Sequence, residues 1–282
     1  MKILIAERGG YCYGVQRALE MAQEATGAEG PIHTMGPIIH NPGVVRKLAE
    51  VGISPVEDPD EVESGTIILR THGVPPEVIS DIEGRGINLV DATCPYVKVA
   101  QEKAALLCAK KYQPLILGEH DHPEVVALTA HAGKRAMVLE NAGELAQALE
   151  KGLIKGKVGV VVQTTQAGEN LAELIAMLAP ATRELLVYNT MCNATRKCQD
   201  EALELAGRSE AVIIIGGRNS ANTTRLAQLC RQEQVRAYHV EDVGELRPEW
   251  FAGLGTVAIT AGASTPPEQM EAAAEWLRKL QP

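Results

Sequence analysis

Three stretches decide how this chain reads: GGYCYGVQRALEMA at 9–22, DATCPYVKVAQEKA at 91–104 and NTMCNATRKCQDEA at 189–202. Each sets one cysteine (Cys12, Cys94 or Cys192) immediately before a helical pattern. Pro95, directly behind Cys94, suits the first turn of a helix, where its missing N–H is not needed. Two loops recur after each cysteine. The first occupies 33–45 (HTMGPIIHNPGVV), 115–128 (LILGEHDHPEVVAL) and 213–226 (IIIGGRNSANTTRL), and puts His40, His122 and Ser220 each 28 residues beyond its cysteine. The second occupies 67–79 (IILRTHGVPPEVI), 160–171 (VVVQTTQAGENL) and 258–270 (AITAGASTPPEQM), and carries His72, Thr164 and Ser264 between an apolar strand and a helix start.

The chain is therefore predicted to hold three related α/β units, 1–93, 94–191 and 192–282, with mainly parallel sheets. Strands are expected at 2–6, 66–70, 87–90, 114–117, 157–162, 185–188, 211–215 and 256–260. Amphipathic helices follow many of them, as at 13–26, 97–110 and 221–233. Nearly unbroken apolar runs such as Val158–Val162 fit strands covered on both faces. Three such units are expected to close around one pseudo-threefold axis, in a trefoil-like arrangement. A site on that axis would receive one cysteine and two polar loops from each.

Composition narrows the function. Of 282 residues, 27 are lysine or arginine and 36 are acidic, a net charge of −9. Such a chain is a poor general binder of nucleic acid. No apolar run approaches the roughly 18 residues of a membrane span, and MKILIAERGG turns polar too early for a signal peptide. A cytoplasmic protein with no membrane partner is expected, and there six cysteines favour ligands, catalysts or buried apolar side chains over disulfides.

A cysteine at a helix start gains thiolate character from free N–H groups and the helix dipole. One alone reads most simply as a small buried side chain, but three in matched places of three repeats point to a shared metal centre. A structural zinc site wants a fourth ligand and paired C-x-x-C spacing, which is missing. A three-thiolate catalytic zinc stays open, and a [4Fe–4S] cluster held by three cysteines is favoured. Cys108, Cys198 and Cys230 have no counterparts in the repeat and are read as structural; Cys198 is the least secure, lying six residues after Cys192.

The donors His40, His72, His122, Thr164, Ser220, Asn222 and Ser264 fall at strand ends, where α/β proteins bind ligands. With helix N-termini they form an anion grip suited to phosphate. Glu124, in His122-Pro123-Glu124, reads as a first-turn residue or as a proton donor whose pKa is raised by burial and negative neighbours.

Taken together and in order, Gly10-Tyr11-Cys12-Tyr13-Gly14-Val15, His40-Asn41-Pro42, Thr71-His72-Gly73, Asp91-Ala92-Thr93-Cys94-Pro95, His120-Asp121-His122-Pro123-Glu124, Gln163-Thr164-Thr165, Cys192, Ser220-x-Asn222 and Ala261-Gly262-Ala263-Ser264 resemble the 4-hydroxy-3-methylbut-2-enyl diphosphate reductases of the non-mevalonate isoprenoid pathway. The resemblance runs from residue 10 to 264. It implies a trefoil of three α/β domains around a central [4Fe–4S] cluster held by Cys12, Cys94 and Cys192, with an open iron for the substrate hydroxyl. It implies that His40, His72, His122, Thr164, Ser220, Asn222 and Ser264 hold the allylic diphosphate and that Glu124 delivers the proton. It further implies reductive dehydroxylation to isopentenyl and dimethylallyl diphosphate, with electrons from a donor such as ferredoxin or flavodoxin. Ala221 departs from the pattern, since many relatives carry a serine there. Two other readings stand beside it: a quinolinate synthase-like trefoil dehydratase using the cluster as a Lewis acid without net electron transfer, and a cluster-based sensor.

Overall fold

The computed structural model describes residues 1–280. Its backbone forms three four-stranded sheets, all parallel, with helices between the strands. The first sheet contains β2 (Ile32–Met35), β3 (Ile53–Val56), β4 (Thr66–Leu69) and β5 (Asn88–Asp91), in the order β3-β2-β4-β5. The second contains β6 (Gln113–Leu117), β7 (Met137–Leu139), β8 (Lys157–Val162) and β9 (Glu184–Tyr188), in the order β7-β6-β8-β9. The third contains β10 (Ala211–Ile215), β11 (Arg236–Val240) and β12 (Thr256–Ala261), and its last place is taken by β1 (Lys2–Ile5), in the order β1-β12-β10-β11.

All three sheets share one plan: the second strand pairs outward, the third sits on the other side of the first, and the fourth lies on the far edge. In the third sheet that far edge is the N-terminal strand, with Lys2 opposite Thr256 and Ile5 opposite Ile259. As hydrogen-bonded, the far-edge strand of each sheet leads on to a cysteine. β5 leads to Cys94, β9 to Cys192 and β1 to Cys12.

The chain divides into two compact bodies. One comprises Met1–Gln16, Ile39–Arg46 and the chain from Asn193 on, and holds the third sheet. The other comprises Arg17–Ile38 and Lys47–Cys192, and holds the first two.

The local causes are plain. All five residues of β10 are buried, as an apolar strand with both faces covered must be. Helix α1 (Tyr13–Ala25) follows Cys12, α4 (Pro95–Ala109) follows Cys94 and α8 (Asn193–Ala206) follows Cys192. A side chain at Gly159 in β8 would run into Leu107 of α4, so that glycine lets helix and sheet approach closely. Pro55 is tolerated because β3 is an edge strand, and Pro114 because it precedes the part of β6 that pairs with β7.

Four strands went unpredicted, β2, β3, β7 and β11. β2 (IHTM) mixes polar residues into its run, β3 contains a proline, β7 has three residues, and β11 (RAYHV) is a part-exposed edge.

Candidate active site

In each sheet the third strand runs into one four-residue turn. The N–H of Gly73 donates to the Arg70 carbonyl at 3.0 Å, that of Gln166 to Gln163 at 3.1 Å, and that of Thr265 to Gly262 at 3.0 Å. The second residue of each turn accepts the backbone N–H of a cysteine: Cys94 on Thr71 O at 3.0 Å, Cys192 on Thr164 O at 2.9 Å, Cys12 on Ala263 O at 3.1 Å. Each cysteine is thereby fastened to a donor turn of its own sheet and stands just ahead of a helix. The carbonyls of Cys12 and Cys94 accept the first helical bonds, from Gln16 at 2.9 Å and Lys98 at 3.0 Å. All three cysteines are half-buried, and among the described residues no two cysteines form a disulfide.

These turns set the register of the second loop. His72 and Ser264 are the third residues of their turns, and the corresponding residue of the second turn is Thr165, not Thr164. Sequence alone misses this because the register depends on which N–H closes the turn, not on side-chain type.

Thr164 has other work. Its N–H donates to Glu124 Oε1 at 2.7 Å, its hydroxyl lies 2.8 Å from Glu124 Oε2, and its carbonyl takes the Cys192 N–H. One residue thus joins a carboxyl to a cysteine. Glu124 stands in the first turn of α5 (Pro123–Ala132) and is 1% exposed. Desolvation pushes its pKa up to about 7, with the Glu119 charge adding to the rise and the two Thr164 bonds opposing it.

His122 caps the same helix. Its Nδ1 accepts the N–H of Glu124 at 3.1 Å. A backbone N–H can only donate, so on the neutral ring the proton sits on Nε2. The ring also meets that of His72 edge-on, centroids 5.3 Å apart. His72 rides the first turn, whose last residue, Gly73, has φ +72°; a Cβ there would strike the Gln101 amide. Gln163, fully buried, was missed from sequence: its Oε1 accepts the Glu119 N–H at 2.9 Å and its Nε2 donates to Thr165 Oγ1 at 3.1 Å.

The body holding the third sheet gathers Cys12, His40, Ser220, Asn222 and Ser264. The Ser264 hydroxyl donates to His40 O at 3.4 Å, and the Asn41 amide donates to Ser264 O at 3.0 Å. Ser220 caps α9 (Ala221–Gln232), accepting from the Thr223 N–H at 3.3 Å. Asn222 is 5% exposed, and neither polar atom of its amide has a hydrogen-bond partner among the described residues. A buried amide left in this state costs stability.

The remaining cysteines stay apart from this chemistry. Cys108 is exposed on α4, and Cys230 is buried in the core. Burial, with the Glu201 charge, pushes the Cys198 thiol up to about 12, and it lies 3.7 Å from the Ala261 carbonyl. It is a protonated core thiol.

The family described as LytB protein matches residues 3–278. The chain is 44% identical over 266 residues to the 4-hydroxy-3-methylbut-2-enyl diphosphate reductase of Pelobacter propionicus, covering 94% of each chain. To the enzyme of that name from Geotalea uraniireducens it is 42% identical over 280 residues, covering 99% of this chain and 98% of the relative. A solved structure of (E)-4-hydroxy-3-methyl-but-2-enyl diphosphate reductase, the terminal enzyme of the non-mevalonate pathway, superposes with a TM-score of 0.71 at 38% identity, covering 99% of this chain and 100% of the other. The reductase structure from Plasmodium falciparum has a TM-score of 0.90 at 24% identity over 98% of this chain and 87% of the other, a likeness of fold.

Proposed function

This chain belongs to the LytB protein family, and we propose that it reduces (E)-4-hydroxy-3-methylbut-2-enyl diphosphate to isopentenyl and dimethylallyl diphosphate. The reaction takes up two electrons and two protons and releases one water. The observation that carries the reading is the buried Glu124–Thr164–Cys192 connection, which sets a carboxylic acid with a pKa near 7 one residue away from a cysteine.

The cofactor of this reading is a [4Fe–4S] cluster held by Cys12, Cys94 and Cys192. The donor set fits it: three half-buried cysteines stand ahead of helices whose N-termini offset negative charge, and each is tied through its own N–H to a donor turn. When bound, the cluster supplies single electrons and a Lewis-acidic iron.

The chain's own residues supply binding and protons. A hydroxyl leaves poorly unless it departs as water, so a proton must reach it. Near neutral pH Glu124 holds one and can release it. Thr164 holds both carboxyl oxygens, donating its N–H to Oε1 and its hydroxyl to Oε2. Thr164 thus enters the site by holding and orienting the acid. His122 offers an Nε2–H donor; it acts with His40, His72, Ser220, Asn222 and Ser264 as the grip on the diphosphate and the allylic chain. The unpaired amide of Asn222 supports that role most directly. Ala221 brings no hydroxyl to this loop, and its backbone N–H is what it can offer.

We assign the repeat to three units, 1–93, 94–191 and 192–282, with β1 lent to the last sheet. The electrons come from an external one-electron donor of the ferredoxin or flavodoxin type in the cytoplasm. No helix among the described residues is long and apolar enough to cross a membrane.

The test is anaerobic turnover. Protein purified without oxygen and given dithionite with a redox mediator should convert the hydroxylated diphosphate to the two isomeric products. Unchanged substrate, or a diene formed without consumption of reductant, would refute the assignment.

A further inference from the structure

The chain before each cysteine must be held as firmly as the cysteine itself, and two of the three approaches are held in the same way. Asp91, three residues before Cys94, accepts the Thr93 N–H on Oδ1 at 3.0 Å. Asn189, three residues before Cys192, accepts the Met191 N–H on Oδ1 at 3.2 Å. Each is a short side chain closing a local turn on its own backbone.

The corresponding residue before Cys12 is Gly9, which has no side chain to do this. A Cβ at Gly9 would lie 2.6 Å from Met270 Sδ and 3.0 Å from the Ala261 nitrogen, so a side chain there would have to displace Met270. The approach to Cys12 is gripped from elsewhere. The Glu7 N–H donates to Glu201 Oε1 at 2.9 Å and the Arg8 N–H to Glu201 Oε2 at 2.9 Å. Two consecutive amides thus share one carboxylate nearly 200 residues away in sequence. Glu201 lies on α8, the helix that begins directly after Cys192, and all of these groups belong to one compact body.

We propose that Glu201 is a positioning residue for Cys12, its carboxylate clamping the Glu7–Arg8 backbone in place of the local turn that Asp91 and Asn189 provide for the other two cysteines. The inference rests on the reading of Cys12 as a cluster ligand. Clamping matters there because a ligand loop that opens exposes its thiolate and releases iron. Bonds to a charged acceptor are stronger than neutral ones, so their loss should be measurable even at a part-exposed site.

The experiment compares wild type with Glu201→Gln and Glu201→Ala. Gln keeps the size but offers only one acceptor to two N–H groups. Glu204→Ala, which removes only an exposed ion pair between this α8 residue and Arg208 just beyond the helix, is the control. Two readouts are taken: release of iron from the anaerobic holoprotein to a ferrous chelator, and iodoacetamide labelling of each cysteine in iron-free protein, scored by peptide mass. The expected result is iron release about tenfold faster in both Glu201 variants, with Cys12 labelling raised severalfold relative to Cys94 and Cys192 in the same molecules. Glu204→Ala should match wild type in both. Iron release at the wild-type rate, or Cys12 labelling that rises only in step with the other two cysteines, would overturn the clamp. If wild type itself binds no iron, the cluster reading fails, and the Cys12 labelling ratio alone then decides the clamp.

Discussion

Glu124→Gln should make the protein more stable while removing its turnover, and the gain should appear only at higher pH. The side chain is 1% exposed and its carboxyl titrates near 7 in place of 4.5, chiefly because burial penalises the charged form. Below pH 4.5 both the folded and the unfolded chain keep the proton, and the raised pKa costs nothing. Between 4.5 and about 7 the unfolded chain gives it up first, so stability falls as pH rises. Above 7 both states are ionised and the full cost stands. At about 1.36 kcal/mol for each pH unit, the gap corresponds to roughly 3 kcal/mol. Gln escapes this cost while keeping both contacts, since its oxygen can accept the Thr164 N–H and its NH₂ can donate to the Thr164 hydroxyl. The assay is urea unfolding of the iron-free protein from pH 4 to 8.5. The two proteins should nearly coincide at pH 4, and Glu124→Gln should lead by up to about 3 kcal/mol above pH 7. With the cluster and substrate bound, turnover should fall about 10²- to 10⁴-fold. A stability difference that stays flat across this range would refute the buried, neutral acid. Wild-type turnover would remove Glu124 from its role.

Other perturbations separate binding from support. His122→Ala should weaken diphosphate binding and also lose the α5 cap, at about 1 kcal/mol; His122→Asn should restore the cap but not the affinity, as calorimetry and thermal unfolding would reveal. Asn222→Ala should leave the substrate-free protein equally or more stable, by about 1 kcal/mol, because a buried unpaired amide is removed; substrate affinity should drop at least tenfold, and unchanged affinity would argue against ligation. Cys198→Ser should keep the full iron content, since the thiol is a protonated core group bonded to a carbonyl; iron analysis showing loss would add it to the ligands.

Much of this was legible in the sequence because the repeat advertises itself. A cysteine before a helix and a polar residue 28 positions later depend on local pattern, and so do the buried runs of β4, β8, β10 and β12. What stayed hidden depends on partners far away. Nothing in Lys2–Ile5 announces that β1 pairs with β12, more than 250 residues on. Thr164 and Thr165 are adjacent and alike, and only the Gln166-to-Gln163 bond tells which one matches His72. Gln163 looks like any polar residue after a strand until its two partners are known. Glu201 sits on a part-exposed helix face with no local mark of its hold on Glu7 and Arg8. The signal that could have led to it was Gly9: of Cys12, Cys94 and Cys192, only Cys12 lacks an Asp or Asn three residues before it.

The central claim is that Cys12, Cys94 and Cys192 hold a [4Fe–4S] cluster that faces the hydroxylated allylic diphosphate. Mössbauer spectroscopy of ⁵⁷Fe-enriched, anaerobically prepared protein, titrated with that diphosphate, tests it most directly. One iron of four should differ from the other three and change its signal when the diphosphate is added, and conversion of any one of the three cysteines to Ser should abolish the pattern. A spectrum indifferent to the diphosphate, or freshly prepared protein holding zinc or no metal, would contradict the account.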